Sequence, residues 1–281
     1  YYMELDDLSI RGTTPEGNFR RVNIVRANPH HKFGIAASKP LSWFDVILMR
    51  KDPPFDMKFF FATQLLSLVD EKKCLVVNHP KGLREANEKL YALNFPAVIP
   101  ETLVSSNMER LKQFMKEQGG EMIIKPLDGC GGSGVFYLNQ KDRNTNALLE
   151  TATDNGKRPI MAQRYIPEVR KGDKRIIVVD GEPLGAILRV PREDETRSNI
   201  HVGGRVVKAD LTARDREICR VMAPSLKKLG LYFVGLDVIG NYLTEVNVTS
   251  PTGIQEVNAL DKVHLESRII DFIEKKAPRH K

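Results

Sequence analysis

Cysteine is scarce in this 281-residue chain: Cys74, Cys130 and Cys219 are its three, odd in number and widely spaced. That argues against a disulfide framework and against a cysteine-based zinc site, and it fits a reducing cytoplasm. No apolar run approaches the length needed to span a bilayer, and the first residues show no signal-peptide pattern, so no membrane partner is expected. Internal repeats and low-complexity segments are missing too. Charge is not one-sided. The 43 basic and 36 acidic residues leave a net +7, the basic ones are dispersed, and no aromatic platform is interleaved with them. Nucleic acid is therefore not the expected partner; an anionic small substrate, or plain solubility, accounts for the excess equally well. What remains is an ordinary globular composition, 41% hydrophobic and 28% charged, on a chain long enough for about two domains.

Periodicity then orders the first part. Residues 45–49 (DVILM) read as a short buried strand, and the paired prolines Pro53-Pro54 force a loop after it. Met57, Phe61, Leu65 and Val69 form a helical stripe, and Cys74 to Val77 give a second strand. Strand, helix and strand in that order predict a parallel α/β domain, whose ligand loops lie at the carboxyl ends of its strands. Arg50 sits at such an end, where it meets a substrate anion or serves as a surface arginine. Leu83 to Leu93 reads as a helix carrying Lys89, and Ser106 with Glu109 as the capping box of another helix.

A strand at Met122–Pro126 runs into Gly129-Cys130-Gly131-Gly132-Ser133-Gly134, followed by the β-prone Val135 to Leu138. The glycine spacing matches a dinucleotide fingerprint, but that fingerprint needs a helix after it. A Walker A loop is excluded, since no Lys-Ser/Thr pair follows. The segment reads as a glycine-rich hairpin tip whose bare N–H groups close over phosphates. Cys130 within it has no activating histidine nearby in sequence and is taken as a tolerated side chain.

Residues 160–165 form a strand, and Asp180-Gly181 turns a hairpin that carries Arg175 and Arg189 on opposite arms. Residues 190–205, with Arg192, Arg197, His201 and Gly203-Gly204 before Arg205, read as a lid or a disordered loop. Thr212 opens a helix through Leu229. Phe233 to Pro251 is a second hairpin. A three-residue turn of Gly240, Asn241 and Tyr242 sets Asp237 opposite Glu245, and alternation puts Asn247 on the same face. Two carboxylates and an amide oxygen suit Mg²⁺ shared with phosphates; a solvated acidic hairpin is the plain alternative.

In this order, Lys89, Lys125, the glycine tip, the Gln163–Ile166 strand end and Asp237/Glu245/Asn247 resemble the ATP-grasp fold. The stretches 47–56 (ILMRKDPPFD), 125–129 (KPLDG) and 244–252 (TEVNVTSPT) are similar to the bacterial glutathione synthetase family, and the likeness runs through essentially the whole chain. The fold class implied is α/β and α+β: an ATP-grasp fold behind an amino-terminal parallel α/β domain. That domain is expected to be incomplete at its start, because the family's first strand and helix have no counterpart before Tyr1. The units expected are 1–87, 88–168 and 169–281, with a mobile loop at 190–205. The resemblance implies ATP-dependent joining of γ-glutamylcysteine to glycine through an acyl phosphate. Other carboxylate–amine ligases of the fold, or a silent ATP-binding scaffold, are the rivals. It also implies residue roles. Lys89, Lys125, Gly129, Gly131, Gly132 and Ser133 serve the phosphates and purine side, Gln163, Arg164, Tyr165 and Ile166 the adenine, and Asp173 the ribose. Asp237, Glu245 and Asn247 hold Mg²⁺, with Mn²⁺ as the alternative ion. Arg175, Arg189 and Arg205 are the catalytic arginines, Arg50 takes a carboxylate of γ-glutamylcysteine, and Ser250 completes the peptide pocket. The family further suggests a homo-oligomer, a tetramer.

Overall fold

The computed structural model describes residues 1–194 and 203–278. The element that orders the carboxyl-terminal half is the strand β10, and its two faces differ. To reach it the chain runs through β1 (Leu8–Arg11), β2 (Thr14–Ile24), β3 (His31–Pro40), β4 (Val46–Leu48), α1 (Met57–Leu66), β5 (Leu75–Val77) and α2 (Pro80–Glu85). Then come β6 (Thr102–Ser105), α3 (Met108–Glu117), β7 (Glu121–Pro126), β8 (Phe136–Asn139), α4 (Thr145–Ala152), β9 (Ile160–Arg164) and β10 (Asp173–Val179) itself. After it follow β11 (Glu182–Val190), β12 (Arg205–Ala209), α5 (Ala213–Lys228), β13 (Phe233–Ile239), β14 (Tyr242–Asn247), α6 (Ile254–Asp261) and α7 (Leu265–Lys276).

β10 is the centre of a five-stranded antiparallel sheet ordered β12-β11-β10-β13-β14. Its even positions, Ile176 and Val178, join Leu236, Val238, Leu243 and Val246 under Ile218, Cys219, Met222 and Leu226 of α5. Its odd positions start polar, with Asp173 and Arg175, and end apolar, with Ile177 and Val179. Only the apolar end packs with Val257 of α6 and Leu265, Ile269 and Ile273 of α7. The other half of that face is left to chemistry. α5 is fixed by a capping box between Thr212 and Asp215, and the buried Asp215 also accepts Lys174 Nζ at 2.5 Å, tying the helix start to β10.

A second antiparallel sheet, β6-β9-β7-β8, is backed by α3 and α4 through Leu111, Phe114, Leu149 and their neighbours. β4 and β5 pair in parallel on either side of α1, as the sequence predicts. The three-stranded antiparallel sheet β1-β2-β3 was not anticipated; its strands are largely exposed, so they carry no clear alternation of apolar and polar residues. No described helix is long and apolar enough to cross a membrane.

Three local expectations are corrected. The cap of α3 is Asn107, whose side chain accepts from Arg110 N at 3.1 Å, one residue after the expected Ser106. The hairpin β13–β14 turns on two residues, since Ile239 pairs with Tyr242, and Gly240 at φ 57° supplies the left-handed position such turns need. The extra residue is absorbed by a bulge beside Asp237, so Asp237 still faces Glu245. Leu83 to Leu93 is not one helix: α2 stops at Glu85, a 3₁₀ turn starts at Leu90, and Glu88 O between them accepts from Val246 N at 2.9 Å. Pairing with the free edge of β14 replaces helical pairing there. Of the 190–205 expectation, residues 195–202, with Arg197 and His201, lie outside the described residues.

The buried Asn78, just after β5, fastens the amino-terminal part to this sheet. Its Nδ2 donates to Phe233 O and Val248 O at 2.7 Å each, and its Oδ1 accepts from Phe233 N at 2.8 Å. Asn78→Leu strands these backbone groups, and at ~1–3 kcal/mol per unsatisfied buried group it is expected to lower the unfolding midpoint by roughly 5 °C or more. Thermal unfolding followed by circular dichroism tests this; a midpoint within ~1 °C of wild type contradicts the fastening role.

Candidate functional site

The polar half of the five-stranded sheet faces the tip of the β7–β8 hairpin across a cavity. Lys89, Lys125, Gly129, Cys130, Gly132, Ser133, Gln163, Arg164, Tyr165, Ile166, Asp173, Asp237 and Glu245 line it, together with Thr244, Ile239 and a few apolar side chains. Nearly every predicted nucleotide residue is thus brought to one place. Gly131 sits in the tip but not in the lining. The tip is left-handed at Gly131, Gly132 and Gly134, with φ of 61°, 82° and 70°, which is why glycine recurs there. A Cβ at Gly129 would come within 2.6 Å of Pro126 Cγ.

At the floor, the buried carboxylate of Asp237 is shared by two guanidinium groups. Arg175 approaches it through Nε (2.5 Å) and Nη2 (3.0 Å), and Arg189 Nη2 lies 3.0 Å from Oδ2. Arg189 also holds Asp173 at 2.5 Å. β10 pairs with both neighbours so that Arg175 stands beside Asp237 and Asp173 beside Arg189, and the network is written into the register. Desolvation alone pushes the Asp237 carboxyl up, but Arg175 and Arg189 outweigh it and hold it well below the carboxylate range. The stabilising pairing of Asp237 is therefore complete above its unfolded value near ~3.9 and is lost as pH falls through the lowered folded value. Asp173 behaves oppositely: burial raises it to about 6 against the pull of Arg189. Its contribution to stability therefore declines as pH rises from ~4 toward that value.

Around this floor stand two lysines. Lys89, buried, donates to Gly129 O at 2.5 Å and pairs with Glu245 at 3.0 Å, so it bridges the glycine tip and β14. Lys125 donates to Gln163 Oε1 at 2.7 Å, and desolvation lowers its pKa. Asn247 Nδ2 lies 3.2 Å from Asp237 Oδ2, and Asn247 pairs with Gly235 on the face predicted for it. The donor set of Asp237, Glu245 and Asn247 is all oxygen, the chemistry of Mg²⁺ or Mn²⁺. Among the described residues no group of three or more His, Cys, Asp or Glu could hold a metal ion. The two carboxylates and the amide need further oxygens from a substrate, as Mg²⁺ sites commonly do. With that supplement the residues fit the ion.

Arg50 and Ser250 are placed apart from this cluster, at the carboxyl end of β4. Arg50 Nη2 donates at 2.8 Å to the O of Pro251, the residue after the half-buried Ser250, and its guanidinium stacks 4.9 Å from the Phe233 ring centroid. Arg205 is not brought to the site. It is exposed on the edge strand β12, opposite Val190, and alternation turns it to the other face of the sheet from Arg189. Its expected catalytic role finds no support in that placement. Thr244 and Glu88 were missed. Thr244 is the residue that the β-bulge leaves over, its Oγ1 donating to Asp237 O at 3.2 Å, and bulges have no signal of their own in sequence. Glu88 lay hidden inside the expected helix, though its place between Asn87 and Lys89 was a cue.

Comparison with known proteins falls into the same frame. The family model described as prokaryotic glutathione synthetase, ATP-grasp domain, matches residues 88–262, and the one described as its N-terminal domain matches residues 1–84. The chain is 50% identical over 276 residues to the glutathione synthetase of Gloeobacter violaceus, covering 96% of this chain and 85% of that one. It is 46% identical over 276 residues to that of Shewanella oneidensis, covering 98% and 87%. Among solved structures, a RiPP-associated ATP-grasp ligase of Chryseobacterium gregarium superposes with a TM-score of 0.63 at 16% identity, covering 92% of this chain and 86% of that one, and so shares the fold.

Because Asp237 is the counter-ion of two buried arginines, Asp237→Asn is expected to cost stability as well as activity, about 3–5 kcal/mol by analogy with broken buried pairs. Glu245 is partly exposed and Lys89 keeps Gly129 O, so Glu245→Gln should cost only about 1–2 kcal/mol. Urea unfolding of the two variants side by side checks the order; equal losses contradict the shared-carboxylate reading.

Proposed function

This chain belongs to the prokaryotic glutathione synthetase family, and from that premise we infer how its site joins γ-glutamylcysteine to glycine at the expense of ATP. The chain is an ATP-dependent ligase with the ATP-grasp fold. The cysteinyl carboxylate of γ-glutamylcysteine attacks the γ-phosphorus of ATP, ADP leaves, and an acyl phosphate forms. The amine of glycine then attacks the acyl carbon, and the tetrahedral intermediate expels phosphate. No protein nucleophile takes part, so positioning and charge neutralisation carry the rate.

The observation that carries this reading is the convergence of the glycine tip, two lysines and the Arg175–Asp237–Arg189 network on one cavity. In the proposed assignment the tip N–H groups and Lys89 hold the phosphates, Lys125 and Gln163 to Ile166 the base, and Asp173 the ribose. Arg175 and Arg189 stabilise the transferring phosphoryl group; forked donors suit it, and the carboxylates they now grip are anions of the kind phosphate oxygens would join or replace. Asp237, Glu245 and Asn247 hold Mg²⁺, or Mn²⁺, which when bound neutralises charge on the phosphate oxygens.

Arg50 is assigned the far carboxylate of the peptide, with Ser250 beside it. Phe233, under Arg50, lies four residues before Asp237 on the same face, about 13 Å along the strand. The units are proposed as 1–87, 88–168 and 169–281. The working form is proposed as a cytoplasmic homo-oligomer, a tetramer by likeness to the family; the three cysteines are free.

Phosphate release measured on the full chain should require γ-glutamylcysteine and glycine together with Mg-ATP. Release without either substrate, or with an alternative amino acid at equal rate, contradicts the assignment. Arg50→Ala is expected to raise KM for γ-glutamylcysteine ~10-fold or more while KM for ATP stays within ~2-fold, the pattern of a lost charge-assisted contact to one substrate.

A further inference from the structure

Three consecutive residues, Asn87, Glu88 and Lys89, cross between the two sheets, and each fastens a different piece. Asn87 Nδ2 donates to Leu127 O at 3.0 Å, at the foot of the glycine tip, while its Oδ1 accepts from Lys89 N (3.1 Å) and Leu90 N (2.9 Å). Lys89 bridges Gly129 O and Glu245. Glu88 does something no reacting group requires. One carboxylate oxygen, Oε1, accepts from Val248 N (3.0 Å), Thr249 N (3.2 Å) and Thr249 Oγ1 (2.8 Å), while its backbone O accepts from Val246 N. The residue thus covers the open edge of β14 and then caps the turn that follows it. This placement runs against charge: burial first, and then the neighbouring Glu245, push the Glu88 carboxyl above its ordinary range. A side chain held beside a like charge by three donors is held for geometry.

We propose that Glu88 is a positioning residue: by fastening to Val248 and Thr249 it sets Lys89 in register between Glu245 and the carbonyl of Gly129. The inference rests on the phosphate and metal roles assigned above to Lys89 and Glu245. Glu88 is not among the residues that line the cavity between the glycine tip and the five-stranded sheet. β14 is an edge strand, so without this clasp its end, and Asn247 within it, is held from one side only. What the position needs is an acceptor, not a charge, since all three partners are neutral donors. Partners of this outer kind typically cost ~10–100-fold in metal affinity or activity when removed.

Glu88→Gln and Glu88→Ala, made in the full chain, separate the possibilities. The glutamine keeps an acceptor oxygen, so its kcat and its KM for Mg-ATP should stay within ~3-fold of wild type. The alanine should lose ~10–100-fold in kcat/KM for ATP. It should also show a smaller rise of the unfolding midpoint on adding Mg-ATP, a readout of binding independent of turnover. A purely structural role would shift the ligand-free midpoint and leave both quantities alone. Thr249→Val removes one of the three donors and should move both readouts in the same direction by a smaller factor; if the alanine variant fails to fold, this substitution decides. The proposal is overturned if Glu88→Ala matches wild type in both readouts, if the glutamine variant is as impaired as the alanine, or if, with the alanine unfolded, Thr249→Val matches wild type. Glu245→Gln, run alongside, keeps the two readings apart. Wild-type turnover in that variant would fail the metal assignment itself. Lost turnover there, with a normal Glu88→Ala, would fail the positioning role alone.

Discussion

The site depends on a single buried carboxylate that two guanidinium groups share. Asp237 is almost wholly buried, and removing a charge from water is costly unless it is paired. Arg175 and Arg189 meet that requirement from the central strand and its neighbour, and Asp173 in turn holds Arg189. The network is therefore held by sheet register rather than by loops, and side chains carried on strands are held more precisely than side chains on loops. It also keeps a cationic floor neutral in the absence of ligand.

A second constraint is the meeting of two sheets that belong to different parts of the chain. The glycine tip comes from the four-stranded sheet and the carboxylates from the five-stranded one, and neither cavity wall works alone. Lys89 joins them directly, and the residues on either side of it fix its neighbours. Further along the same face, Asn78 and Arg50 attach the β4–β5 unit to the start of β13 and to Pro251. The same face thus continues from the Arg175–Asp237–Arg189 network to a separate cavity lined by Arg50, Phe233 and Pro251.

Much of this was legible in the sequence because the signals were local. Glycines that need left-handed backbone, an Asp-Gly turn, a threonine cap before a helix and apolar stripes of fixed period all act within a few residues. The pairing of Asp237 with Glu245 was also readable, although for a partly wrong reason: the turn is one residue shorter than expected and the bulge restores the count. Where local signals were weak the expectation failed. The sheet β1-β2-β3 is largely exposed, and its few buried positions, Leu8, Pro15, Gly17 and Phe19, are too few and too mixed in type to give an apolar alternation. The run from Leu83 to Leu93 has helical composition, yet a strand edge claims its middle.

By itself, then, the sequence determined which residues could do chemistry here and in what order: the lysines, the glycine tip, the paired arginines and the Asp-Glu-Asn hairpin, because residue type, spacing and likeness to a family are properties of the string. Tertiary structure alone decided which of them meet. It placed Arg175 and Arg189 on one carboxylate and turned Arg205 to the far side of the sheet. It also drew Glu88, unremarkable in the string, onto the end of β14. The physical reason is that register, strand alternation and edge pairing fix where a side chain points, and these are set by partners that lie between 16 and 160 residues away.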